Sequence, residues 1–224
     1  MNTDTISMPS VTVNIVIFSL HQNRLEVLLT RCGWQAQSGI WCLPGEVPQP
    51  DETLEATALR ELQRRSGLRE AYLEQLYTYG DPKRCPGKRV ISVVYFVLIP
   101  ANASSSRSQD VEPAQWFPIS DLPPLALDHA EMVAYALRRL RYKLEYSAVG
   151  FQLLPETFTL TELQQTYEII LGEKIDKRNF RRRILESNII EATPDMRCGE
   201  GRPAHLYRYR PDAIAEVKVR RLFP

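Results

Sequence analysis

Residues Leu43-Pro-Gly-Glu-Val-Pro-Gln-Pro-Asp-Glu-Thr-Leu-Glu-Ala-Thr-Ala-Leu-Arg-Glu-Leu-Gln-Arg-Arg-Ser-Gly-Leu68 carry the decisive pattern of this 224-residue chain. A Pro-rich loop gives way to a segment, Glu52 to Ser66, in which Leu54, Ala58, Leu59 and Leu62 recur with the 3.6-residue period of an amphipathic helix. Charged side chains fill the positions between them. Gly67 closes the helix, because glycine accepts the left-handed conformation that ends many helices.

The neighbouring sequence supplies the rest of a mixed domain. Val11 to Leu20 and Leu25 to Arg31 are β-branched-rich runs separated by His-Gln-Asn-Arg, which predicts a β-hairpin. Further strands are expected at Leu73 to Tyr79 and Val90 to Ile99, the latter followed by Pro100 and an exposed, mobile Ser-rich loop from Ala103 to Ser108. After Asp121-Leu-Pro-Pro, a helix from about Asp128 to Tyr146 places Met132, Ala136, Leu140 and Leu144 on one stripe, with Asp128 as its cap. The pattern changes at Tyr146, so residues 1–145 form a first domain and residues 146–224 a smaller second one.

Composition removes several function classes. A net charge of +1 carries no message about partners, and Lys plus Arg against Asp plus Glu is 13 to 11 in residues 146–224 and 15 to 16 before them, so any functional charge is local. The apolar run Ile15 to Leu20 is too short to span a bilayer, and the N-terminus lacks a signal-peptide pattern. A cytoplasmic protein with no membrane partner is expected. Cys32, Cys42, Cys85 and Cys198 are scattered without a C-x-x-C pair, which suggests free thiols in place of a zinc knuckle or disulfide framework.

The stretch from Leu43 to Leu68 resembles the Nudix box, G-x5-E-x7-R-E-U-x-E-E-x-G-U with U bulky and apolar. Aligned on Arg60-Glu61-Leu62, the box glutamate falls at Glu52 and the closing Gly-U at Gly67-Leu68. In Nudix enzymes the glutamate after the arginine and the later Glu-Glu pair bind divalent metal, which neutralises the substrate diphosphate and helps to activate water. Here Glu61 is the one survivor of those three, Arg64 and Arg65 occupy the pair, and Glu46 stands where the box opens with glycine. A divalent cation about 5 Å from one guanidinium is repelled by roughly 7 kcal/mol at an effective dielectric of about 20. The resemblance therefore implies a Nudix α/β/α sandwich with a mixed sheet, without catalytic residues and without a metal site.

Two readings of Arg64 and Arg65 stand side by side. They form a solvated helix face, or they offer planar donor forks to an anion where metal and diphosphate would otherwise meet. Arg60 is expected to organise the loop by pairing with a box carboxylate, and it joins Glu61 among the ligand-site candidates. Trp41, Tyr79 and Arg89 are further candidates, since the loop before the box and the strand Lys88 to Tyr95 flank the cleft of such a fold. Core packing is the competing account of Trp41 and Tyr79; an aromatic at the cleft would stack on adenine and Arg89 would reach a phosphate or ribose.

In the second domain, Asp176-Lys-Arg-Asn-Phe-Arg-Arg-Arg183 packs five cations into eight residues, while Phe180, Ile184 and Leu185 supply an apolar stripe. The preceding stretch, Thr159 to Leu171, is amphipathic through Leu160, Leu163, Tyr167, Ile170 and Leu171, and Gly172 begins the turn to the next helix, Asp176 to Ser187. A strand-loop-strand follows, with Ala204 to Arg210 alternating. This order reads as a winged helix-turn-helix. Lys177, Arg178, Arg181, Arg182 and Arg183 are candidate phosphate and base contacts, with Asn179 suited to adenine. Thr159 and Thr161 on the first helix, and Arg202 and His205 on the wing, complete the candidate DNA contacts. A charge-laced solvated helix or a protein-docking face is the competing account.

Taken together, Leu73 to Asp81, Arg89-Val-Ile-Ser-Val, Lys143 to Phe151, Phe158 to Gln164 and Asp176 to Arg183 make the chain similar to the NrtR family of Nudix-related transcriptional regulators. The resemblance implies a homodimeric repressor on a palindromic double-stranded operator, controlling genes of NAD metabolism. It implies ADP-ribose or a related nucleotide as effector, with no cofactor required. Relatives that control sugar-utilisation genes keep a second regulon open, and a Mg²⁺-dependent ADP-ribose pyrophosphohydrolase with residual activity is the enzymatic alternative. A dimer would set its recognition helices about 34–36 Å apart, one DNA turn.

Overall fold

The computed structural model describes residues 8–33, 39–100, 102–103, 114–198 and 203–213. They separate into two compact units divided within a long helix, between Ala136 and Leu137, with the hairpin tip Ser19–Leu25 belonging to the second unit. No helix among the described residues is long and apolar enough to cross a membrane. Residues 104–108 of the Ser-rich loop lie outside the described residues, as does Arg202.

The first unit is built on a mixed sheet of seven strands. Strand β1 (Ser10–His21) and strand β2 (Arg24–Arg31) are neighbours joined by a turn in which Gln22 and Asn23 take positive φ. The other strands are β3 (Trp41–Cys42), β4 (Gly45–Glu46), β5 (Tyr72–Tyr79), β6 (Val90–Leu98) and β7 (Ala114–Pro118). The central order is β3-β2-β1-β6-β5, with β4 on β1 and β7 on β2. Strands β1 and β6 pair in parallel from Ser10 opposite Val90 to Phe18 opposite Leu98, and the β-branched runs in both are buried. Burial on both faces turns these central strands into near-continuous apolar runs.

Helix α1 spans Leu54–Ser66, two residues shorter at its start than expected, because Thr53 is the cap: its hydroxyl accepts from the Ala56 amide. Gly67 ends it at φ 77°, as the sequence required. The periodicity placed Ala58 and Leu62 in the core correctly, but the same face also buries Thr57, Glu61 and Ser66. Just ahead of this helix, β4 pairs with β1 so closely that a Cβ on Gly45 would lie 2.3 Å from the Asn14 side-chain nitrogen and 2.9 Å from the Val13 carbonyl oxygen, which favours glycine there.

Helix α2 spans His129–Tyr146 and buries the expected stripe of Met132, Ala136, Leu140 and Leu144. Asp128 does not use its carboxylate as expected of a cap. Its carbonyl accepts from Glu131 and Met132, whereas its carboxylate takes a two-pronged grip from Arg84 at 2.7 and 2.6 Å. Arg84 also donates to Ser92, whose hydroxyl lies 2.7 Å from that of Thr12 on β1. His129, buried beside this pair, accepts the Leu43 amide on Nδ1 at 3.0 Å, so the neutral ring carries its proton on Nε2.

The second unit holds helix α3 (Leu160–Leu171), helix α4 (Lys177–Glu186) and the sheet β8-β10-β9, with β8 at Thr157–Phe158, β9 at Ile190–Arg197 and β10 at Ala204–Tyr209. Tyr167 of α3 meets Phe180 of α4 edge-on at 5.5 Å, and Phe151 packs between Phe158 and Tyr209. Gly150 is forced here: a Cβ would lie 2.8 Å from Leu144 and 3.0 Å from Tyr167. The turn between the helices starts at Gly172 (φ 79°) and is pinned by Glu168, which accepts from Gln164, Lys174 and the Ile175 amide. Lys174 above all, with those two donors, holds the Glu168 carboxyl at about 2.

Burial, reinforced by the Arg84 charge and opposed by Asp128, lowers the His129 pKa to about 4. Unfolding frees the ring to bind a proton near pH 6.5, so stability is fully present above that value and falls as the pH drops toward 4, by about 3 kcal/mol in all. His129→Asn retains an acceptor near the Nδ1 position and removes the titration. Urea melts from pH 7 to 4 should give a shallower loss for the variant than for the parent; equal slopes would contradict this role.

Candidate functional site

The box helix brings its charged residues onto one side of α1 in two separate groups. Arg60 grips Glu52 through Nε and Nη2, both at 2.8 Å, and also reaches the Val47 carbonyl at 3.3 Å. Glu52 further accepts from the Gln49 amide and the Thr57 hydroxyl. Arg60 first, then the Gln49 amide, lowers the Glu52 carboxyl to about 2. This is the expected loop-organising pair, and it ties the Pro-rich segment to the first turns of the helix.

The second group centres on Glu61, whose side chain is 1% exposed. Arg65 donates to Glu61 through Nε at 2.8 Å and to Thr30 of β2 through Nη1 at 3.1 Å. Arg64 donates through Nη1 to Glu61 at 3.2 Å and to Glu46 of β4 at 2.8 Å. Burial raises the Glu61 pKa in spite of Arg65 and Arg64, which oppose the shift. Glu46 moves the other way: the Val47 amide and Arg64 together outweigh its partial burial and lower its pKa.

Two guanidinium groups thus stand against the surviving box carboxylate in the place of a divalent cation. Glu61 has its lone pairs directed at arginine hydrogens, and both arginines would repel a metal approaching it. The donor set does not fit Mg²⁺. Among the described residues, no group of three or more His, Cys, Asp or Glu side chains is placed to hold a metal ion.

The two arginines, paired in sequence, differ in environment. Arg65 is 12% exposed and fixed between Glu61 and Thr30, whereas Arg64 is 35% exposed and bonded to a Glu46 that is itself 39% exposed. Arg64 is therefore the cation an incoming anion would reach, and Arg65 is a structural counter-ion. Sequence spacing had no means of separating them, because the difference arises from Thr30 and Glu46 on strands far away in the chain.

The remaining candidates stand on or beside other strands of the sheet. Trp41 is half-buried on β3, with Phe117 edge-on at 4.7 Å and the Arg31 guanidinium 3.8 Å above its ring. Tyr79 is buried at 8% exposure and meets Tyr77 edge-on, so packing accounts for it; Tyr77, which the sequence reading overlooked, is 54% exposed and stacks near Tyr135. Arg89 is exposed but donates to the Gly80 carbonyl at 2.7 Å, closing the loop between β5 and β6.

In the second unit, α4 exposes Lys177, Arg178, Asn179, Arg182 and Arg183, while Phe180 and Ile184 are buried. Leu185 departs from the expected stripe and is 49% exposed, because its position falls about a third of a turn beyond Ile184. Asp176 caps the helix through the Asn179 amide. Arg181 is half-buried and donates to Thr161 at 2.9 Å, so that threonine orients an arginine. Thr159 is a buried helix cap, closed with Glu162 in a capping box, which explains it without any DNA contact. His205 is exposed on β10 opposite Met196, and Arg197, next to Met196, is ion-paired with Glu162.

A Nudix-type domain whose box Glu-Glu pair has given way to Arg64 and Arg65, combined with a winged helix-turn-helix, defines the class of protein. Residues 8–136 match the NUDIX domain and residues 150–209 the NrtR DNA-binding winged helix domain. The chain is 38% identical over 205 residues to the ADPR responsive transcriptional repressor NtrR of Acinetobacter baylyi, spanning 90% of this chain and 82% of that protein. Shewanella oneidensis NrtR complexed with a 27mer DNA superposes with a TM-score of 0.86 at 35% identity, covering 95% of this chain and 99% of that one. The NUDIX domain of the same Shewanella protein complexed with ADP ribose superposes at 0.54 and 31% identity, over 62% of this chain and 94% of that one. The chain belongs to the NrtR family.

The unequal burial of the two arginines sets an order of stabilities. Arg65→Met leaves Glu61 buried beside a single, partly exposed cation, and should destabilise the protein by about 3 kcal/mol near neutral pH. Arg64→Gln removes the exposed pair with Glu46 and the longer 3.2 Å contact with Glu61, which keeps Arg65 at 2.8 Å, and should cost about 1 kcal/mol, well below Arg65→Met. Chemical denaturation measures both; the reverse order would contradict the assignment of Arg65 as the structural cation.

Proposed function

We propose that this protein is a transcriptional repressor whose Nudix-type domain binds ADP-ribose or a related nucleotide without metal and without hydrolysing it. The observation that carries the reading is the Glu61 carboxylate held by Arg64 and Arg65, which puts guanidinium donors where the box pattern would have metal-binding carboxylates. Residues 1–145 supply the sensing domain and residues 146–224 the DNA-binding domain. The family relatives described above act as an ADPR responsive repressor and bind DNA and ADP ribose, which supports the same division of labour here.

In this reading the diphosphate of the nucleotide meets Arg64, with Trp41 and Arg89 as further ligand contacts. A homodimer presents two copies of α4 to successive major grooves of a palindromic operator. Lys177, Arg178, Arg182 and Arg183 neutralise phosphates, Asn179 reads a base edge, and His205 follows the backbone from the wing. Arg202, which lies outside the described residues, joins them as a backbone contact. Thr161 acts through Arg181. The protein works in the cytoplasm on nucleoid DNA and controls genes of NAD metabolism, and nucleotide binding alters operator affinity by favouring one arrangement of the dimer.

Two experiments test the two halves. Lys177→Ala and Arg182→Ala should each weaken operator binding and reduce the salt slope by about 0.9, one phosphate contact apiece, in fluorescence anisotropy at several salt concentrations. Unchanged affinity in both would contradict the recognition-helix assignment. Incubation with ADP-ribose and Mg²⁺ should release no AMP above background; robust Mg²⁺-dependent release that disappears in Glu61→Gln would establish an enzyme and overturn the metal-free reading.

A further inference from the structure

Arg64, the accessible cation of the box helix, is already occupied. Glu46 lies 2.8 Å from its Nη1, on a strand two residues long that is fixed by pairing Gly45 with Asn14 and Glu46 with Val13. Glycine at position 45 lets β4 lie close against β1, since a Cβ there would meet the Asn14 side chain at 2.3 Å and the Val13 carbonyl at 2.9 Å. Glu46 also accepts the amide of Val47, which keeps its carboxylate directed back toward α1. The Nudix box has a glycine at this position, so the carboxylate is an addition to the pattern and not a remnant of a metal site.

We propose that Glu46 is a built-in competitor for the ligand's diphosphate: it occupies Arg64 in the free protein and must be displaced when an anion binds. The inference rests on the reading that Arg64 receives the diphosphate and adds the residue that sets the affinity. A tethered carboxylate faces its cation at high effective concentration, so an incoming anion gains only the difference between its own pairing and that of Glu46. A diphosphate, with oxyanions on two phosphorus atoms and hydrogen-bond acceptors enough to engage the whole fork, exceeds a single carboxylate. A small monoanion does not. Glu46 thereby screens out weak anions, and its release is the first local change that a bound nucleotide makes.

The geometry favours exchange over a permanent lock. Arg64 keeps Glu61 as a second partner at 3.2 Å throughout, so losing Glu46 does not strand a buried charge. Both Arg64 and Glu46 are more than a third exposed, and an ion pair of that kind is held weakly. The fraction of Arg64 free of Glu46 is then small but not negligible, and the apparent dissociation constant is raised by the inverse of that fraction.

Isothermal titration of the full-length protein in EDTA, with inorganic pyrophosphate and separately with ADP-ribose, tests this directly. Glu46→Gln retains the shape of the side chain and removes the charge, and should tighten both ligands roughly three- to tenfold. In an Arg64→Gln background the same change should alter affinity by less than about twofold. Parent-like affinity in Glu46→Gln, or the same gain with and without Arg64, would overturn the competitor role. Tightened pyrophosphate with no ADP-ribose binding in any variant would uphold the competitor and sink the nucleotide reading. ADP-ribose binding without a Glu46→Gln gain would do the opposite, and no binding of either probe to any variant would reject both.

Discussion

The buried Glu61 carboxylate is the constraint on which the candidate site depends. A carboxylate at 1% exposure is unstable without compensation, and the chain supplies it from one turn farther along the same helix, in the form of Arg64 and Arg65. That choice has two consequences at once. It compensates the buried carboxylate from within the helix, and it places cations where the box pattern has carboxylates. A metal-dependent site attracts a diphosphate through a bound cation; here the cation is covalently part of the helix. Thr30 on β2 and Glu46 on β4 then divide the labour, fixing Arg65 within the domain and leaving Arg64 at the edge.

The same logic extends to the elements that hold the box in place. Leu43 at its start is anchored by the neutral His129 ring, His129 sits at the start of α2 beside the Arg84–Asp128 pair, and Arg84 reaches Ser92 on β6. In the second unit an equivalent economy is visible around single carboxylates. Glu168, with Gln164 beside it, ties down the turn between α3 and α4, and Glu162 both completes the cap of α3 and meets Arg197 of the wing strand β9. Each of these groups fixes backbone geometry ahead of the surface that carries function.

Much of this was legible in the residues. The spacing from Leu43 to Leu68 gave the box helix, the β-branched runs gave β1, β2 and β6, and the cluster from Lys177 to Arg183 gave the exposed basic helix. What escaped the sequence was set by partners distant in the chain. Strands β3 and β4 are two residues long, too short for any alternation to register. Periodicity assigned the core face of α1 by hydrophobicity, and so passed over Glu61, whose burial depends on arginines arriving from outside the apolar stripe. Asp128 looked like a cap because short acidic residues favour that position, but Arg84 claimed its carboxylate. Thr159 looked like a DNA contact from its place in the motif, and its hydroxyl is consumed by the capping box. Leu185 was counted into the core by its type although the helix turns it outward.

The central claim is that a metal-free Nudix-type domain reads a nucleotide and passes the result to DNA. The most direct test is a fluorescence anisotropy titration of the full-length protein onto DNA from upstream of its own gene, with and without saturating ADP-ribose, once in EDTA and once in Mg²⁺. The account predicts that ADP-ribose shifts the DNA affinity by the same factor in both buffers, with the nucleotide recovered intact. A shift that appears only with Mg²⁺, or that decays as the nucleotide is cleaved, would contradict it.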